Sequence, residues 1–197
     1  MEDLHLRNAK SIYTEANNMN TLKPNLAVFS SLLFLFFAVV DTATAATGVN
    51  LAPVAEPSTS RVSGDTTLAA LNDGHTPKAS NDRSNRSYGN WRGQGTQWVQ
   101  YDWTIPVTTR KIDVFWWDDN AGVRLPKACR LFYWDGERFV PVRNPVGLGV
   151  AKDQFNTTTF DEVRTTKLRL EIDATERSTG ILEWKVYNEG ELPNFPP

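Results

Sequence analysis

The chain has 197 residues, 21 Lys or Arg against 23 Asp or Glu for a formal charge of -2, and a globular composition of 40% apolar and 11% aromatic residues. A near-neutral chain carries no electrostatic footprint for nucleic acid or anionic lipid, so nucleic acid is set aside as a partner. The single cysteine, Cys129, excludes an internal disulfide and any C-x-x-C motif, and the two histidines, His5 and His75, exclude multi-histidine zinc sites.

Residues 26–40 form an apolar run of 15 without a charge. That is shorter than the roughly 20 residues a spanning helix needs. Lys23 precedes the run, and the small residues Ala43-Thr44-Ala45-Ala46 follow it. Basic region, apolar core and A-x-A site are the order of a signal peptide, with cleavage expected after Ala45. The leader before the core carries Glu2, Asp3 and Glu15. A true start at Met19 and an uncleaved anchor are the other two readings, and all three export the body. The expected location is secreted, periplasmic or cell-surface, with membrane contact only through an uncleaved N-terminal segment. The chain therefore divides into a signal peptide or anchor (1–45), a body (46–188) and a C-terminal tail (189–197). Beyond residue 45, 18 basic and 19 acidic residues remain.

The body shows no capped helical periodicity over ten or more residues. Short β-branched and aromatic runs separated by turn residues recur instead, which is a strand pattern. A first strand is expected near residues 51–58. Gln97-Trp98-Val99-Gln100-Tyr101-Asp102-Trp103 alternates and is expected to stop at Pro106. Lys111-Ile112-Asp113-Val114-Phe115-Trp116-Trp117 follows, closed by a loop at Asp118-Asp119-Asn120-Ala121-Gly122. Residues 128–134 meet 138–142 across Asp135-Gly136, a hairpin signal because both residues tolerate positive φ. Strands over 154–160, 167–173 and 181–187 complete the set. The fold class is thus all-β, a sandwich or barrel of about eight strands. Residues 71–97 read as a long polar loop rich in Asn, Gly and Ser, in which Tyr88 and Trp91 are embedded. Long ordered loops of this kind are usually functional.

All seven Trp lie between Trp91 and Trp184. Trp98, Trp116 and Trp184 sit in alternating strands and are expected in the core. Trp103 and Trp134, at strand ends, are open. Trp117 points opposite to Trp116 and beside two acids, so surface and core roles stand level. Trp91 lies among Gly, Asn and Arg and is expected to face a ligand. Cys129 reads as a small buried thiol.

Asn50-Leu51-Ala52, Leu71-Asn72-Asp73-Gly74, Trp98-Val99-Gln100-Tyr101-Asp102-Trp103, Tyr133-Trp134-Asp135-Gly136, Leu168-Arg169-Leu170 and Ile181-Leu182-Glu183-Trp184-Lys185-Val186-Tyr187 occur in an order that resembles the discoidin-like (coagulation factor 5/8 type C) domain. This is a galactose-binding-like jelly roll that includes bacterial carbohydrate-binding modules appended to glycoside hydrolases. The resemblance covers residues 48–188 and implies a jelly-roll sandwich of antiparallel strands. It also implies a structural Ca²⁺ held by Asp73 and Glu183, with Ser80 a further oxygen. Ca²⁺ takes six to eight oxygens, largely carboxylates and carbonyls, which fits an Asp-Gly turn beside an acidic strand residue. His75 stands where an oxygen side chain is common in the family. The alternative is that Asp-Gly is only a turn and Glu183 belongs to a polar network.

Sugar recognition uses a flat aromatic face for the C–H side of the ring and fixed polar partners for vicinal hydroxyls. Two loops hold that chemistry, and the residues expected to contact sugar are Asp82, Tyr88, Trp91 and Arg92 in one, Trp117, Asp118 and Arg124 in the other. Arg124 reads equally as a structural partner of Asp118 or Asp119. Adjacent Asp118 and Asp119 would diverge on a strand, and no nucleophile-elbow, Walker or zincin motif occurs. The function expected is therefore non-catalytic carbohydrate binding by an exported protein, accessory to polysaccharide degradation, with a tethered or separate glycoside hydrolase as partner. A structural or protein-docking sandwich, or a fragment of a glycoside hydrolase, is the alternative.

Overall fold

The computed structural model describes residues 48–175 and 177–196; the segment read as a signal peptide or anchor lies outside them. Among the described residues are seven strands joined by antiparallel ladders: β1 (Glu56–Thr59), β2 (Tyr88–Gly89), β3 (Thr96–Trp117), β4 (Ala128–Trp134), β5 (Phe139–Pro141), β6 (Phe155–Asp173) and β7 (Gly180–Asn188). Single 3₁₀ turns occupy Ala52–Val54 and Leu68–Leu71. No described helix is long and apolar enough to cross a membrane.

Two strands make the sandwich. β3 has 22 residues and β6 has 19, and each serves both sheets. The first half of β3 pairs with β1 and with the second half of β6, which in turn pairs with β4. The second half of β3 pairs with β7 and with the first half of β6. The expected strands 97–103 and 111–117 are therefore one strand, as are 154–160 and 167–173. Pro106 does not end β3, because it falls in the register shift between Asp102 and Val107, where no ladder donor is required. Threonine hydroxyls replace the lost ladder bonds at the bends: Thr165 Oγ1 is 2.8 Å from Trp134 O and 2.9 Å from Lys167 O, and Thr109 Oγ1 is 3.3 Å from Lys111 O. β-branched residues favour extended backbone, so the strand bends without breaking.

The core fills the space between the two sheets. Tyr101 from one stacks on Trp184 from the other, with ring centroids 4.2 Å apart and planes 16° from parallel. The Tyr101 hydroxyl bonds the carbonyls of Leu71 (2.7 Å) and Trp184 (2.9 Å), satisfying a buried polar group. Trp116, Trp103 and the Cys129 thiol are buried in the same core, and Trp103 Nε1 donates to Leu51 O at 3.0 Å. Trp98 is not there. Val99 and Tyr101 point inward, so strand alternation turns Trp98 to the outer face, where the Arg169 guanidinium lies 4.5 Å from its ring centroid. Trp134 is half-buried on that face, edge-on to Phe139. The hairpin at Asp135-Gly136 forms as expected, with Gly136 at φ 112° and the Asp135 carboxylate accepting the N–H groups of Glu137 and Arg138.

Residues ahead of β1 run beside the end of β7. Asn50 bridges to Tyr187, Leu51 N–H donates to Val186 O (2.7 Å), and Asn188 N–H donates to Val49 O (2.9 Å).

Candidate functional site

Antiparallel pairing brings the C-terminal end of β3, the start of β7 and the end of β2 to one end of the sandwich. The loops there bind one another. Asp119 Oδ1 accepts the N–H groups of Ala121 and Val123, Ser178 N–H donates to Gly122 O, and Arg124 N–H donates to Ser178 O. Asn90 locks the third loop, donating from Nδ2 to Thr179 Oγ1 (2.7 Å) and accepting Thr179 N–H (2.8 Å).

Trp91 stands on this frame. Its N–H donates to Ser63 Oγ at 2.6 Å, its carbonyl accepts Arg61 Nε at 3.0 Å, and a tight turn closes behind it from Gly93 N–H to Asn90 O. Arg92 completes the turn at φ 64°. The backbone is fixed while the side chain is 47% exposed. A planar ring held open on a rigid support loses little freedom on binding.

Three clefts adjoin in a row: the second and third share Trp91 and Ser178, and the first and second share Thr175 and Arg177. The first, of about 520 Å³, holds Asp118, Arg124, Lys127, Lys152 and Arg177. The second, of about 540 Å³, is formed by Trp91, Arg92, Thr175 and Arg177. The third, of about 130 Å³, runs between Trp91 and Trp117 beside Asp65, Arg83 and Asp119. Five residues expected at the site thus come together: Trp91, Arg92, Trp117, Asp118 and Arg124.

Their roles differ from one another. Trp117 is only 3% exposed and packs with Phe115, Val123 and Leu182, so it floors the narrow cleft instead of standing free. Gly89 and Gly180, paired across β2 and β7, leave the room for its ring. The Arg83 guanidinium lies 5.5 Å from the ring centroid. Asp118, 3% exposed, accepts Asn120 N–H (2.8 Å) and Leu125 N–H (3.3 Å), with Lys152 Nζ at 3.1 Å and Arg124 Nη1 at 3.6 Å. Burial raises its pKa, but the bonds from Asn120, Lys152 and Leu125 outweigh burial and hold the carboxyl below its usual range.

Two expected ligand residues lie elsewhere. Tyr88 is fully buried, with its hydroxyl 2.7 Å from Thr59 Oγ1 and donating to Arg61 O at 2.9 Å. It belongs to β2, and its ring faces the core. The Asp82 carboxylate closes its own loop, accepting the N–H groups of Ser84 (2.8 Å) and Lys78 (2.9 Å). The Ser84 side chain and these backbone donors hold it well below the usual carboxylate range. The residues missed in the sequence are Thr175, Arg177, Lys127 and Lys152. A signal existed for the first two: a polar segment between two strands must sit at the end where β7 begins.

At the Asp73-Gly74 turn, a β-bulge sets the acidic residue. The register shifts between Phe115 and Trp116 opposite β7, so Ile181 faces the core before the shift and Trp184 and Val186 after it. Glu183 falls at the shift with no exposure, and neither carboxylate oxygen has a hydrogen-bond partner. Burial first, then the charge of Asp73, pushes its pKa up to about 8, against the weaker pull of Lys185 and of the Gly74 N–H beyond bonding geometry. Asp73 accepts His75 N–H (2.9 Å) and Asn85 Nδ2 (3.0 Å). No hydrogen bond joins Ser80 to either acid. Ser80 instead exchanges bonds with Asp153 (2.7 and 2.9 Å) and accepts Asp118 N–H through its carbonyl.

No protein-family model matches the chain, and no curated protein matches it. Solved structures do. A Streptococcus pneumoniae β-galactosidase (BgaA) structure aligns at 18% identity and TM-score 0.65, covering 72% of this chain and 99% of that one. Chitosan-binding module 1 from the chitosanase/glucanase of Paenibacillus sp. IK-5 aligns at 14% and 0.55, covering 71% and 99%. CpGH89CBM32-5 from Clostridium perfringens, solved in complex with GalNAc-β-1,3-galactose, aligns at 13% and 0.55, also covering 71% and 99%. The chain shares the galactose-binding-like β-sandwich fold of these structures.

Proposed function

We propose that residues 46–188 form a non-catalytic carbohydrate-binding module of an exported protein, which holds a tethered or separate glycoside hydrolase near its polysaccharide. The observation that carries this reading is Trp91: a half-exposed indole on a backbone fixed at Asn90 and Ser63, standing between two clefts lined by Arg, Asp, Ser and Thr side chains. Such a ring offers a stacking face to a pyranose, and the surrounding Arg and Thr side chains offer partners for hydroxyls. The shared fold with carbohydrate-binding modules supports it.

Binding is favoured over hydrolysis by where the carboxylates are. A glycosidase needs a proton-donating acid beside its substrate. Asp118 and Asp119 are held by the amides of their own loop, and the acid with the raised pKa, Glu183, is sealed from solvent and lines none of the three clefts.

The same reading includes a structural Ca²⁺. Glu183, with two unpartnered buried oxygens next to the Asp73-Gly74 turn, is a group that a cation would complete, since a buried unpaired carboxylate is otherwise costly. Glu183 and Asp73 would hold the ion, and the ion would supply charge neutralisation and fix the turn against β7.

A glycan array probed with the chain and with Trp91→Ala tests the proposal. The substitution is expected to weaken binding about thirtyfold, on the order of 2 kcal/mol for a central Trp anchor. A wild type that binds no glycan, or a variant that binds as tightly as wild type, overturns it.

A further inference from the structure

The three clefts are electrically lopsided although the body is near neutral. Among the described residues they are lined by six cations, Arg83, Arg92, Arg124, Lys127, Lys152 and Arg177, against three carboxylates. Lys152 and Arg124 are matched with Asp118 at 3.1 and 3.6 Å, and Arg83 lies over Trp117. Asp119 is satisfied by the N–H groups of Ala121 and Val123, and Asp65 lies in the narrow third cleft. Arg92, Lys127 and Arg177 remain in excess, all three exposed. Arg177 lines both large clefts and Arg92 shares the second with Trp91, so the surplus charge sits beside the stacking ring.

We propose that the ligand of this site is an acidic saccharide, one bearing a carboxylate or a sulfate ester, with its ring on Trp91 and its anionic group toward Arg177 and Lys127. The inference rests on the carbohydrate-binding reading and names the substrate class. A guanidinium fork matches a carboxylate or sulfate bidentately, and a cleft lined by one sign of charge concentrates oppositely charged ligands. The same field repels a glucosamine polymer, so the chemistry is opposite to that of a chitosan-binding surface.

Titration calorimetry with galacto-oligosaccharides, oligogalacturonates, their methyl esters and sulfated galacto-oligosaccharides separates the possibilities, since all share one ring stereochemistry. Uronate and sulfate arms identify which anion is taken. At least one acidic ligand is expected to bind about tenfold or more tightly than its neutral counterpart, with the gap closing between about 50 and 500 mM salt as charges are screened. Arg177→Gln and Lys127→Gln are each expected to narrow the gap by about threefold, the scale of an exposed charge pair. Arg138→Gln, on the β4–β5 turn, serves as the control and is expected to leave it unchanged. Neutral sugars binding as well as acidic ones, a salt-independent preference, or no narrowing in either cleft variant overturns the inference and leaves the carbohydrate reading standing. Binding of no saccharide at all overturns both.

Discussion

The Tyr88 hydroxyl donates to Arg61 O and sits against Thr59, while three residues on Trp91 opens to solvent. The two aromatics of one loop therefore test different things. Tyr88→Phe removes a buried hydroxyl together with its bonds to Arg61 O and Thr59 Oγ1, leaving Arg61 O only the longer bond from Thr59 Oγ1 at 3.2 Å, which costs about 1 kcal/mol. Thermal denaturation of this variant is expected to show a lowered midpoint with unchanged glycan binding, the reverse of Trp91→Ala. Loss of binding in Tyr88→Phe with an unchanged midpoint contradicts the core placement. Sequence marked the polar setting of both residues but not the two-residue strand at Tyr88–Gly89, whose pairing with Ile181 and Gly180 is a contact over some ninety positions. The Trp91 expectation needed only its neighbours, Gly, Asn and Arg.

At the scale of elements, the β2–β7 pair carries a constraint that no local pattern reveals. A Cβ built on Gly180 would lie 2.6 Å from Tyr88 O and 2.7 Å from Trp117 Cε3. Neither the paired backbone nor the indole, itself packed against Phe115 and Leu182, has room to move. Gly180→Ala is expected to destabilise the fold by about 1–3 kcal/mol, the range for overpacking. Denaturant unfolding measures the loss, and Trp fluorescence reports the displaced indole; an unchanged midpoint contradicts the slot. The even odds on Trp117 reflect this: strand alternation shows that it opposes Trp116, but only the distant glycines and loop 118–125 decide that the outward face is covered. By contrast, the Asp135-Gly136 hairpin was legible because turn chemistry is local. The breaks expected after Trp103 and after residue 160 were absent because threonine hydroxyls stand in for ladder bonds at both bends.

For the whole molecule, the burial of Glu183 ties stability to pH and, through the proposed Ca²⁺, to calcium. Its carboxyl titrates near 4.5 when unfolded and at about 8 when folded. Between those values the folded protein holds the extra proton, so stability without metal falls as pH rises through the window. Ca²⁺ needs the ionised carboxylate, so its stabilisation is expected to grow over the same range. Melting midpoints in EDTA are expected to decline from about pH 5 to pH 8, and added Ca²⁺ to restore them most at the alkaline end. Glu183→Gln is expected to flatten the EDTA profile and abolish the calcium response. Calcium-independent midpoints in wild type remove the metal from the proposal.

The bridge between Asn50 and Tyr187 places the beginning and the end of the sandwich side by side. β7 then runs nine residues from that junction to the loops around Trp91 and Arg177, roughly 25–30 Å of extended chain. Whatever the sandwich is attached to, through either flank, meets it at one pole, and the clefts open at the other. A pendant built this way can swing on an attachment without hiding the proposed sugar site, so on that reading the volume it searches is set by the length of the tether and not by the orientation of the body.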